Sequence, residues 1–109
     1  MALLEVRTEG AVYKNCFLQV AKYQADNSRA IEIWNEEDGP IARITVCITG
    51  SMLAEDEVVL DTNNCPWAVG FVESNGMGED TGRTVRSGYC TYPAVKLNVE
   101  KIGEYLEVA

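Results

Sequence analysis

The sequence contains no histidine. A nucleophilic cysteine would therefore lack the general base that such enzymes usually employ, which argues against Cys65 as a catalytic thiol despite its place near an expected helix start. Zinc is left with cysteine alone, and Cys16, Cys47, Cys65 and Cys90 stand far apart with no C-x-x-C pair. That is not a zinc-ligand pattern. No apolar run approaches the ~20 residues needed to cross a bilayer. Met1-Ala2-Leu3-Leu4 runs directly into Glu5 and Arg7, without the long apolar region or cleavage site of a secretory signal. The expectation is a cytoplasmic protein with four reduced thiols.

Phosphate-binding glycine patterns are missing as well. Neither G-x-x-x-x-G-K-[ST] nor G-x-G-x-x-G occurs, so Gly76-Met77-Gly78 and Thr81-Gly82-Arg83 read as turns. Asp61-x-Asn63 opens like a calcium loop, but the glycine and the bidentate glutamate are not at their spacings. No catalytic residue, metal or cofactor is thereby indicated, and the reading leans away from an enzyme.

Positive charge is scarce: nine Lys and Arg face 17 Asp and Glu, for a formal net charge of −8. Excess carboxylate repels a phosphate backbone and an anionic membrane, so direct nucleic-acid and membrane binding are disfavoured. A basic protein partner remains, especially one whose own work is to hold DNA or RNA. The plainer service of the charge is solubility.

What is present describes an ordinary globular chain of 109 residues, 47% hydrophobic and 24% charged. One domain spanning residues 1–109 is expected, burying roughly two thirds of its unfolded surface without a disulfide or metal. Leu3–Thr8 and Val12–Tyr23 read as strands, the second with Cys16, Leu18 and Val20 on one face and Tyr13, Phe17 and Tyr23 on the other. Ile31 and Ile33, then Ile44, Val46 and Ile48, alternate with polar residues around a loop at 35–40, which predicts an antiparallel hairpin. Glu57–Leu60 is a short strand. Asn63 or Asn64 suits an N-cap and Pro66 a first helical turn, with Trp67, Phe71 and Val72 on the buried stripe and Asn75-Gly76 as the stop. Met77–Ser87 reads as a loop, Val95, Leu97 and Val99 as a last strand, and residues 100–109 as strand or short helix. The fold expected is α+β: a mainly antiparallel sheet of about five strands with one short helix packed on one face.

Two groups of residues are candidate binding sites. Glu36, Glu37 and Asp38 crowd the hairpin tip, and Glu55, Asp56 and Glu57 form a second acidic run; carboxylates along a rigid sheet edge can imitate phosphate charge. Asp61, Asn63 and Asn64 gather beside Trp67, with Tyr89 and Tyr92 expected nearby and Arg83 or Arg86 reaching Asp61. Aromatic and arginine-bearing surfaces of that kind suit protein recognition. A turn that only fixes the entry to the helix accounts for the same polar residues.

The stretches Glu57–Trp67, Gly82-Arg83 and Ser87–Pro93 resemble an uncharacterised family of small proteins carried by phages and conjugative elements of gut and related bacteria. The resemblance covers about the second half of the chain and implies a mobile-element context, with no activity attached. Two expectations follow. One is a non-enzymatic acidic binding protein, an inhibitor that occupies a cationic nucleic-acid-handling surface of a host defence protein as a DNA mimic would. The other is a small enzyme or ligand-binding domain using a pocket around Asp61, Asn63, Asn64, Cys65 and Arg83. The sequence sets no oligomeric state.

Overall fold

In a computed structural model that describes residues 2–107, the chain builds two antiparallel sheets and two short helices. β1 (Leu4–Arg7), β2 (Val12–Lys22), β3 (Arg29–Asn35) and β4 (Gly39–Arg43) form the first sheet in the order β1-β2-β3-β4. The second contains β5 (Thr45–Val46), β6 (Glu57–Leu60), β7 (Gly78–Ser87) and β8 (Cys90–Leu97) in the order β5-β6-β8-β7. α1 (Ala68–Ser74) lies between β6 and β7, and α2 (Val99–Gly103) follows β8. The α+β class is as expected; eight strands in two sheets replace about five in one, and a second helix joins the first.

The hairpin is shorter than its sequence pattern. Its return arm is β4, paired Asn35 to Gly39 and Glu32 to Arg43. The chain then leaves the first sheet, so Val46, expected on that arm, belongs to the second, and Ile48 lies outside any strand and packs with Val59, Val85 and Ala94. Ile44 makes the crossing: its N–H donates to the Ile31 carbonyl at 3.0 Å, and its carbonyl accepts the Asp61 N–H at 2.8 Å. Thr45 Oγ1 accepts the Ile31 N–H at 3.0 Å, and the Tyr23 hydroxyl lies 3.1 Å from both Thr45 oxygens. Thr45 is only 3% exposed, and its bond with the Ile31 N–H is buried.

Leu4, Val6, Leu18, Ile31 and Ile33 of the first sheet share one apolar core with Val58, Leu60, Val95 and Leu97 of the second and with Phe71 and Val72 of α1. Strand residues alternate between faces. Val59 and Ala94 therefore turn the other way, into a smaller cluster with Ile48 and Val85 that Leu53 and Tyr92 help to cover.

Three further expectations need correction. Of the stretch Met77–Ser87, expected as a loop, Gly78–Ser87 is β7. Among residues 79–87 only Val85 is buried, so pairing with β8 holds this edge strand and no apolar alternation announces it. A wide bulge interrupts the pairing, with Asp80 opposite Val95 but Thr84 opposite Pro93. There the Thr81 hydroxyl donates to the Ala94 carbonyl at 2.7 Å. Val99 is not the end of the last strand; it opens α2, where Asn98 Oδ1 caps the Lys101 N–H at 3.1 Å.

The third concerns α1. Its N-cap position is Trp67, without a side-chain cap, rather than Asn63 or Asn64. Asn64 instead closes a turn on Asp61, donating from its N–H at 3.3 Å and from Nδ2 at 2.8 Å. Phe71 and Val72 are buried as expected, and half-buried Trp67 meets Phe71 edge to face at 6.0 Å. Gly76 (φ +69°) ends the helix with the paired bonds Met77 N–H to Val72 O and Gly76 N–H to Glu73 O, a Schellman closure. No helix among the described residues is long and apolar enough to cross a membrane.

Thr45→Val keeps the side chain's shape while orphaning the buried Ile31 N–H. It is expected to cost about 1–3 kcal/mol in urea unfolding, with Thr45→Ser retaining most of the stability. A Thr45→Val loss below ~0.5 kcal/mol would show that the crossing does not depend on this bond.

Candidate functional site

The acidic tip is built on a buried amide. Asn35, the last residue of β3, is 5% exposed. Its Oδ1 accepts the Asp38 N–H at 2.7 Å, and its Nδ2 donates to Asp38 Oδ2 at 3.1 Å and to the Lys14 carbonyl at 3.5 Å. One side chain thus closes the Glu36-Glu37-Asp38 turn and ties it to β2. Gly39 supplies the left-handed residue (φ +72°) that returns the chain into β4.

On the neighbouring strand, β2 carries one extra residue between the Leu4–Cys16 and Val6–Tyr13 pairs, with Asn15 at φ +56°. Such a bulge bends a strand and re-aims its side chains. Between bulge and tip lies a groove of about 830 Å³, floored by Leu3, Val12, Tyr13 and Phe17 and rimmed by Glu36, Glu37, Asp38 and Glu107. Glu107 is there because the end of the chain runs beside β2, with Leu18 N–H bonded to Tyr105 O and Glu107 N–H to Leu18 O. The Gln19 amide then holds the Glu107 carboxylate at 2.7 Å. Lys14 is the lining cation, and no ion pair among the described residues engages Glu36, Glu37, Asp38 or Glu107.

The second acidic run is differently employed. Glu57 accepts the Ala54 N–H at 2.8 Å and pairs with Arg83 at 2.9 Å. The Ala54 bond first, and then Arg83, hold its carboxyl below the ordinary value of 4.5. A depressed carboxyl stabilises the fold above its ordinary value, and that contribution disappears as pH falls through the lower folded value. Glu55 offers its backbone carbonyl to Arg29 at 2.8 Å. Asp56 lies with Glu79, Glu100 and Lys96 along a shallow cleft on the second sheet.

The Asp61–Trp67 corner does not gather its expected partners. Arg83 does not reach Asp61: it binds Glu57 and, at 3.0 Å, the Ser51 carbonyl, because the β7 bulge places it over that loop. Nor does Arg86, whose Nε donates to the Gly88 carbonyl at 3.3 Å. Tyr89 is fully exposed at the turn joining β7 and β8, whereas Tyr92 packs on the smaller cluster and Trp67 on the larger one. These three aromatics therefore do not form one surface. Asp61, Asn64, Cys65 and Trp67 do line a small hollow of about 450 Å³ with Tyr13 and Arg43, and Asn63 is exposed in the adjoining turn. Burial, then the Asp61 charge, pushes the Cys65 thiol up, the reverse of what an activated nucleophile needs. All four cysteines are unpaired.

Asn35, Leu3, Val12, Tyr13, Phe17 and Glu107 were not among the residues expected at a site. Tyr13 and Phe17 were legible as a second apolar face of β2; the bulge and the passage of the chain end across that strand were not.

These features define a small acidic α+β domain of two antiparallel sheets that exposes an apolar-floored, carboxylate-rimmed groove. Residues 17–108 match the domain of unknown function DUF4313, and the chain belongs to that family. No curated protein and no solved structure matches it.

Replacing Asn35 by alanine leaves the Asp38 N–H without its partner and frees the turn. The expected cost is about 1–3 kcal/mol in urea unfolding, with faster amide exchange at Asp38. Unchanged exchange at Asp38 would show that the turn holds itself.

Proposed function

We propose that the protein is a non-enzymatic acidic binding protein that engages a basic protein partner through the Glu36-Glu37-Asp38 tip. The observation that carries this is a turn of three adjacent exposed acidic residues, closed by the bonds between Asn35 and Asp38, with no cation paired to their carboxylates among the described residues. Like charges fixed side by side repel, and a cationic surface relieves that repulsion. The partner we favour is a nucleic-acid-handling surface of a host defence protein, which the tip blocks by standing in for phosphate charge. The bacterial mobile-element setting and the cytoplasmic location belong to this proposal; the first draws on the resemblance of Glu57–Trp67, Gly82-Arg83 and Ser87–Pro93, the second on four unpaired cysteines. The hollow at Asp61–Cys65, without Arg83 and with a raised thiol, offers no comparable argument for an enzyme or a small-ligand site.

The test is affinity capture from bacterial lysate with the intact chain as bait. At low salt a basic protein should be retained, released steeply as salt rises, and displaced by duplex DNA. The Glu36→Lys/Glu37→Lys variant should retain at least tenfold less of it. Equal capture by that variant, or a captured protein indifferent to salt and DNA, would refute the proposal.

A further inference from the structure

Phosphate mimicry requires only spaced charge, yet the groove behind the tip has more than charge. Leu3 and Val12 are each 51% exposed there, on the same floor as Tyr13 and Phe17. Isolated apolar side chains at a surface are normal; apolar side chains lining one concavity beneath unpaired carboxylates specify a ligand that is both greasy and cationic. Resting on the reading above, we infer that this groove takes an extended segment of the partner in which arginine alternates with an aliphatic residue.

Arginine fits better than lysine. Its guanidinium is planar and weakly hydrated, lies flat against aromatic rings such as Tyr13, and presents a fork of donors that matches a carboxylate. Lysine carries a compact, strongly hydrated charge, which loses more on leaving water. The rim offers four carboxylates against Lys14 alone, so more than one guanidinium is accommodated. Glu107, steadied by Gln19, enters from the chain end, while Glu36, Glu37 and Asp38 enter from the hairpin. A volume of about 830 Å³ is in the range of about 300–1,000 Å³ that holds several groups rather than one side chain. In an extended segment alternate side chains point opposite ways, so aliphatic residues can meet the floor while the arginines turn to the rim.

Three end-blocked, fluorescently labelled hexapeptides provide the probe: alternating Arg-Leu, alternating Arg-Ser and alternating Lys-Leu, all of equal charge. Binding is followed by fluorescence anisotropy at 150 mM salt against wild type, Leu3→Ser/Val12→Ser and Glu36→Lys/Glu37→Lys, each first shown to unfold in urea as wild type does. The Arg-Leu peptide should bind about tenfold more tightly than Arg-Ser, as burial of two aliphatic contacts implies, and more tightly than Lys-Leu. The Leu3→Ser/Val12→Ser variant should lose that preference, and Glu36→Lys/Glu37→Lys should weaken all three peptides. Equal affinity for Arg-Leu and Arg-Ser, or no binding of Arg-Leu, overturns the groove assignment while leaving the charge-based function standing. Undiminished binding by the tip variant strikes at the proposed function itself.

Discussion

The structure depends on one residue whose backbone is shared between two sheets. Ile44 gives its N–H to β3 and its carbonyl to the turn after β6, and Thr45 supplies the acceptor that Ile31 would otherwise lack. Buried backbone groups are costly to leave unpaired, so neither sheet can shift without breaking bonds that water cannot replace. The shared core has the same consequence, since Ile31 and Ile33 lie in one cluster with Val58 and Leu60. The β3–β4 hairpin is consequently anchored at its base by the crossing and at its head by Asn35. That double anchorage is what presents the acidic turn as a fixed shape.

The charges sort into two populations. Glu5, Glu32, Glu57 and Glu104 each stand within 4 Å of a cation on the same chain. Exposed pairs of this type contribute little stability, but they quench local field. The tip and Glu107 stand outside these pairs, and beside them an apolar surface is also open. On the proposed function, Coulombic attraction would speed encounter and the floor would contribute affinity that salt does not screen.

Much of the first sheet was legible because its strands obey simple alternation. Ile31 and Ile33 face one way, and the Asn-Glu-Glu-Asp-Gly sequence can only be a turn. The helix stop at Gly76 was equally plain, since a left-handed residue was required. The division into two sheets was not, because Ile44, Val46 and Ile48 continue the period while the chain changes partner at Ile44. β7 was hidden for the opposite reason: it is almost wholly exposed, so pairing alone makes it a strand. Glu36, Glu37 and Asp38 of the candidate site were legible by composition. Its floor and Glu107 were not, because Leu3, Val12 and Phe17 are brought together by a bulge and Glu107 by the return of the chain end. Arg83 was misassigned by the same kind of cause, a bulge that aims it at Glu57.

On the proposed function, cation recognition is concentrated in one groove rather than spread over an acidic surface. Backbone amide shifts of the labelled protein, followed as the Arg-Leu hexapeptide is added, test it most directly. Changes are expected at Leu3, Val12–Phe17, Asn35–Asp38 and Glu107, with Asp56, Glu79 and Glu100 unmoved. Changes of equal size along that second-sheet cleft, or scattered over all exposed carboxylates, would contradict it.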